Sequence, residues 1–227
     1  MPFSTTGLIL YYYSMWQKII EFVQNLLVPE DSKIKGLMNL EPGVMRDLLP
    51  KSAVYSKDIF VLFDYQNKIV RFIVKAIKYK NNQNLRKRIA CYFYEELVDM
   101  SSEISLFEGS PPLLVPMPMS PNEKRKRGFN QCEELVREIK KLGGDNIEVS
   151  YNTLKKVRET KRQTELSREE RILNVKNSMS VDDFLKTKNR VIIVLDDVFT
   201  TGASLSEARR ALLEAGAKRV IGIFIAH

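Results

Sequence analysis

Two uninterrupted apolar runs near the C-terminus, VIIVL at 191–195 and VIGIFIA at 220–226, constrain the fold more than any other feature. Neither alternates polar with apolar residues, so neither has a face to give to water. Between them lies SLSEARRALLEAGAKR, in which Leu205, Ala208, Leu212 and Ala215 recur at helical spacing. A buried strand, an amphipathic helix and a second buried strand make a parallel crossover unit. The same alternation reaches back to Pro111. LLVPMPM is a short apolar strand ending in prolines. A helix then carries Leu135, Val136, Ile139 and Leu142 and stops at Gly143-Gly144, and NIEVS is a short strand. The predicted class is α/β, a parallel sheet flanked by helices.

Upstream the pattern is looser. From Trp16, apolar residues at Ile19, Ile20, Val23, Leu26 and Leu27 form the stripe of an amphipathic helix. The apolar GLILYYYSMW before it lacks the positive region and cleavage site of a leader and is too short and polar to span a bilayer. Residues 28–55 hold three of the nine prolines and read as irregular linker. IFVLFDY at 59–65 reads as a buried strand, followed by a helix over 68–78 and a second helix bearing Leu85, Ile89, Phe93 and Leu97. The expected division is a helix and linker over 1–58 and one α/β domain over 59–227.

The strand VIIVL ends in Asp196 and Asp197, then turns through Val198-Phe199 into Thr200-Thr201-Gly202-Ala203-Ser204 and a helix. Ligands of open parallel sheets bind beyond the carboxyl ends of the strands. The unpaired amides and positive dipole of a helix N-terminus make a phosphate cradle. Gly202 permits close backbone approach, and the hydroxyls of Thr200, Thr201 and Ser204 add donors. Carboxylates only accept, so the acidic pair suits neutral diols or a hydrated magnesium. A phosphate with vicinal hydroxyls a few ångströms away describes a ribose 5-phosphate.

Other chemistries find no support in the sequence. No G-x-x-x-x-G-K-[ST], G-x-G-x-x-G or G-x-S-x-G occurs. The one histidine is the terminal His227, and the two cysteines, Cys91 and Cys132, are isolated. These exclude a zinc site of ordinary Cys/His type and a disulfide framework, and low cysteine usage suits a reducing cytoplasm. The net charge of +8 favours anionic partners, phosphorylated metabolites or nucleic acid.

VIIVLDDVFTTGAS resembles the PRPP-binding signature of type I phosphoribosyltransferases, which use 5-phosphoribosyl 1-pyrophosphate with magnesium. VPMPMSPNEKRKRGFNQCEELVREI, VRETKRQTELSREERILNV and FDYQNKIVRFIVKAIKYKNNQNLRKRIA resemble the ComF family of competence-associated, phosphoribosyltransferase-like proteins. The likeness runs from about Phe60 to the C-terminus and implies a type I phosphoribosyltransferase-like domain. It departs in having no cysteines where that family's zinc module begins, so no zinc is expected, in carrying Ser204 for the more usual Thr, and in stopping at His227. The resemblance implies that Asp196 and Asp197 hold the ribose hydroxyls and help organise the metal. It implies that Thr200, Thr201, Gly202, Ala203 and Ser204 cradle the 5-phosphate, and that Pro118 to Arg127 face the pyrophosphate. No residue is assigned as a direct metal ligand; magnesium would arrive with PRPP, near Asp196 and Asp197.

Lys124-Arg125-Lys126-Arg127 before Gly128 is a basic loop that reads as solvated surface, as a nucleic-acid contact or, from its place at a strand's carboxyl end, as neutralising pyrophosphate. In the last case Lys126 and Arg127 are the contacts, with Arg127 preferred because Gly128 after it allows a tight anion-facing turn. Residues 154–175, bearing Lys155, Lys156, Arg158, Lys161, Arg162, Gln163, Arg168 and Arg171, read as a mobile basic segment. It is either a lid over pyrophosphate or a surface for single-stranded DNA. Two functions follow. One is phosphoribosyl transfer from PRPP to a nitrogen nucleophile, with Asp196, Asp197 and Arg127 as catalytic residues. The other is a non-catalytic DNA-uptake accessory that keeps the fold, binds PRPP or single-stranded DNA, and works with a helicase-like partner.

Overall fold

The computed structural model describes residues 30–52, 56–160, 170 and 174–227. The helix expected from Trp16 and the basic residues Lys161, Arg162, Gln163, Arg168 and Arg171 lie outside them. The chain divides into two compact units, Met1–Leu49 and Pro50–His227.

In the first unit the stretch expected to be irregular holds two short helices, α1 (Glu30–Asn39) and α2 (Pro42–Leu48). Pro42 stands in the first turn of α2, where its missing N–H costs no hydrogen bond. The proline therefore opens a helix instead of breaking one.

The second unit is built on a five-stranded parallel sheet of order β1-β7-β6-β2-β3. Its strands are β1 (Ile59–Phe63), β2 (Leu113–Pro116), β3 (Glu148–Val149), β6 (Val191–Val198) and β7 (Arg219–Ala226). Three helices pack on it, α3 (Lys68–Lys80), α6 (Gln131–Gly143) and α8 (Ala203–Glu214), and α4 (Gln83–Glu108) lies mainly against α6 and α3. The α/β reading is borne out, and VIIVL and VIGIFIA are the two central neighbours. Ile192, Ile193, Val194, Leu195, Ile223 and Ile225 are all at most 1% exposed, which explains the lack of polar alternation.

The order of the strands positions the site. From β2 the chain crosses through α6 to β3 on one side, then returns to β6 on the other side of β2 and crosses through α8 to β7. Right-handed crossovers in opposite directions put α6 and α8 on opposite faces. Their leading loops therefore part between β2 and β6, and a crevice opens at the carboxyl ends of those two strands. Register aligns them there, with Pro116 opposite Leu195.

Two short helices, α5 (Pro121–Arg127) and α7 (Phe184–Thr187), complete the unit with an antiparallel pair of strands, β4 (Leu154–Lys156) and β5 (Met179–Val181). The first residues of the expected mobile segment are thus laddered strand. Arg158 donates from Nη2 to the carbonyls of Asn174 and Lys176, both at 2.8 Å. Among the described residues no helix is long and apolar enough to cross a membrane.

Candidate functional site

Strand β6 does not end before its acidic pair but runs through it to Val198, because Asp196 and Val198 still pair with Phe224 and Ala226 of β7. Successive strand residues face opposite ways, so the two carboxylates have different surroundings. Asp197 is 5% exposed and accepts from Gln131 Nε2 at 2.7 Å and from Lys78 Nζ at 2.8 Å, both on Oδ2. Asp196 is part-buried, and its Oδ1 accepts from the Asp197 amide at 2.8 Å and from Cys132 Sγ at 3.5 Å.

The charges follow from this packing. Burial and the adjacent Asp197 push the Asp196 carboxyl up to about 7, with the Lys78 ammonium pulling the other way. Burial works against the Lys78 ammonium, but Asp197 and then Asp196 carry it above the ordinary lysine value. Burial, followed by the two carboxylates, raises the Cys132 thiol well above its ordinary value, so it stays protonated and donates.

Beyond β6 the chain turns through Phe199 to Gly202, and α8 begins at Ala203. Gly202 is the N-cap, with φ 75°, and a Cβ there would lie 3.2 Å from the Phe199 ring. Phe199 is itself fixed edge-on to Phe224, with ring centroids 5.0 Å apart. The Thr201 hydroxyl accepts from the Ala203 amide at 3.4 Å. Ala203 and Ser204 occupy the first turn of α8. Thr200 is exposed and Thr201 and Ser204 are part-buried. The strand, acidic pair and helix N-terminus form one continuous piece.

The basic run Lys124–Arg127, expected as loop, is the last turn of α5. Ser120 caps that helix by accepting from the Glu123 amide at 3.2 Å, and Pro121 occupies the first turn. Cations at its C-terminus match the helix dipole. Gly128 ends it at φ 86°, the tight turn foreseen from the sequence. Asn130 then caps α6 by accepting from the Cys132 amide at 3.0 Å while donating to the Met117 carbonyl at 3.0 Å. This places the first turn of α6 against the acidic pair.

Arg127 reaches the pair through one intermediary. Its Nη1 donates to Gln131 Oε1 at 2.6 Å, and the other end of that amide donates to Asp197. The Arg127 guanidinium also stands over the Tyr79 ring, 5.3 Å from its centroid. Lys126, one residue earlier, is exposed on α5, and the contacts joining this helix to the acidic pair run through Arg127.

Asp196, Asp197 and Arg127 are thus brought into one hydrogen-bonded group, with Thr200 to Ser204 on the turn directly beyond it. Sequence reasoning missed Lys78, Gln131 and Cys132 as members. Lys78 carried a weak signal, since it continues the apolar stripe Val70, Val74 at i+4 and so falls on the packed side of α3. Among the described residues no cluster of three or more His, Cys, Asp or Glu could hold a metal ion.

Comparison with known proteins adds to this geometry. The phosphoribosyl transferase domain family matches residues 125–226, which include Arg127 and the whole strand, acidic pair and turn but not Lys78. The competence protein ComFC of Streptococcus pneumoniae is 29% identical over 162 residues, 70% of this chain and 63% of that protein. Competence protein F of Haemophilus influenzae is 26% identical over 170 residues, 73% of this chain and 71% of that protein. ComFC of Bacillus subtilis is 32% identical over 112 residues, 49% of this chain and 42% of that protein. The matched stretches therefore span between about two fifths and seven tenths of the relatives' length.

Proposed function

We propose, from the premise that this chain is a phosphoribosyltransferase-like protein of the ComF family, that it binds PRPP with magnesium and transfers the phosphoribosyl group to a nitrogen nucleophile. The observation that carries the reading is the continuity of β6, Asp196-Asp197 and the Thr200–Ser204 turn at the crevice between β2 and β6, with Arg127 tied to it through Gln131.

The 5-phosphate lies on the first-turn amides of α8 and the hydroxyls of Thr200, Thr201 and Ser204. The ribose hydroxyls donate to Asp196 and Asp197. Lys126 and Arg127 face the pyrophosphate. Attack of the nucleophile at C1 breaks the bond to the pyrophosphate oxygen, the pair of electrons leaves with pyrophosphate, and the attacking nitrogen gives its proton to solvent. The transition state has positive charge at C1 and growing negative charge on the leaving group. Arg127 meets the second, and the acidic pair holds the ring against the first. Magnesium, where bound to PRPP, neutralises part of the leaving charge. No covalent nucleophile is required of the protein. The low cysteine content fits a cytoplasmic setting for this chemistry.

The test is pyrophosphate release from PRPP and magnesium across a panel of purine, pyrimidine and amine acceptors. Release that depends on one acceptor class, and is lost in Asp196→Asn with Asp197→Asn, supports transfer. Release in neither protein, with PRPP still bound, favours the second reading.

That second reading is a non-catalytic DNA-uptake accessory, favoured by relatives that are competence proteins and by the charge of +8. It takes PRPP or single-stranded DNA and a helicase-like partner. Its measurement is fluorescence anisotropy of a labelled single strand at two salt concentrations, where binding through phosphates weakens steeply with salt.

A further inference from the structure

The last turn of α3 lies well upstream of the matched family segment, yet it supports both halves of the site. Lys78 reaches Asp197 at 2.8 Å, and the next residue, Tyr79, lies beneath the Arg127 guanidinium. The turn is fixed from two sides. Val70, Ile73, Val74, Ala76 and Ile77 are buried, and the helix is stopped by Asn81 at φ 49°. The Lys78 side chain is 27% exposed.

The two donors to Asp197 share one oxygen. Lys78 Nζ and Gln131 Nε2 both approach Oδ2, from helices α3 and α6. Two donors fill the lone pairs of that oxygen and fix the plane of the carboxylate, leaving further acceptance to Oδ1. An ammonium beside the pair also offsets the mutual repulsion of adjacent carboxylates.

We propose that Lys78 is a positioning residue of the ribose subsite: with Gln131 it clamps one oxygen of Asp197 so that the other is presented to the vicinal hydroxyls of the ligand. This rests on the phosphoribosyl reading of the site. It adds a residue from outside the phosphoribosyl transferase segment, so residues 125–226 alone do not make a complete site.

Two partial ligands separate this role from direct anion binding. Ribose 5-phosphate has the phosphate and the diol, and inorganic pyrophosphate has neither sugar nor diol. Calorimetric titration of the full chain with each, for wild type, Lys78→Met and Lys78→Arg, reads the difference. Lys78→Met is expected to weaken ribose 5-phosphate by about tenfold while changing pyrophosphate by less than about twofold. Lys78→Arg, which keeps a cation and donors, is expected to restore ribose 5-phosphate to within about threefold of wild type. Removing one partner of a buried pair is destabilising. If Lys78→Met does not fold, Lys78→Gln, which keeps a donor without the charge, takes its place with the same ligand order.

Unchanged ribose 5-phosphate affinity in a folded variant overturns the proposal. So does a loss confined to pyrophosphate, which would make Lys78 a direct anion contact. A folded wild type that binds neither ligand overturns the phosphoribosyl reading and, with it, this role.

Discussion

Arg127 Nη1 donates to Gln131 Oε1 at 2.6 Å, and by that one bond the basic end of α5 is joined to the acidic end of β6. The amide of Gln131 is oriented by both neighbours, accepting from a cation at one end and donating to Asp197 at the other. Gln131→Leu breaks both bonds without adding charge. It should weaken PRPP binding by about tenfold, from loss of charge-assisted hydrogen bonds on either side, with calorimetry as the readout. Gln131→Glu should be worse, since it sets a carboxylate against Asp197.

The raised Asp196 carboxyl makes a signed prediction for pH. Its ordinary value in an unfolded chain is about 3.9, and in the fold it is pushed up to about 7. Between those values the folded protein keeps a proton that the unfolded chain releases, so stability falls as pH rises across the window. Acidifying from pH 8 to 5.5 should therefore stabilise wild type relative to Asp196→Asn. The variant should be the more stable of the two at pH 8, and thermal melts at both pH values measure the closing gap. A gap that stays constant contradicts the assignment.

Two glycines with similar backbone conformations should respond differently to Ala. Gly202 has φ 75° and a Phe199 ring 3.2 Å from its Cβ position, whereas Gly128 has φ 86° and nothing within 4 Å. Gly128→Ala should cost about 1–2 kcal/mol, the strain of a left-handed residue. Gly202→Ala adds crowding against Phe199 and should also lower affinity for ribose 5-phosphate, which Gly128→Ala should leave within about twofold. Chemical denaturation and calorimetry report the two effects.

Gly222 of β7 tests the support beneath the Thr200–Ser204 turn. A Cβ there would lie 2.7 Å from Leu205 Cδ2 and 2.8 Å from the Phe224 ring. Leu205 is in the first turn of α8, so overpacking at Gly222 should push that turn away from the sheet. Gly222→Ala should destabilise by about 1–3 kcal/mol and weaken phosphate binding together. Denaturant midpoints unchanged from wild type would show that the contact yields.

The central sheet was legible because residues 191–195 of β6 and 220–226 of β7 are buried on both faces, and every one of them is apolar or glycine. The turn at Gly202 and the tight turn at Gly128 were legible for a related reason, since a residue type there is dictated by the backbone. The helix α5 was not read, although Ser120 and Glu123 have the spacing of a capping box. Its charged turns show no apolar stripe, and a run of cations resembles a solvated loop. The prolines near α2 misled in the opposite direction, because a proline in a first turn looks in sequence like a breaker. Gln131 gave no sign of being a site member, and Lys78 only the weak sign of continuing the apolar stripe of α3. Their roles exist only once α3 and α6 meet β6, and local spacing does not name that partner.

The central claim is that the acidic pair and the turn beyond it form one ligand site. Titration calorimetry of PRPP with magnesium, on wild type and on Asp196→Asn with Asp197→Asn, tests it most directly. Saturable binding to wild type, weakened by at least about tenfold in a folded double variant, is the predicted result. Equal binding to both proteins, or none to a folded wild type, would contradict it.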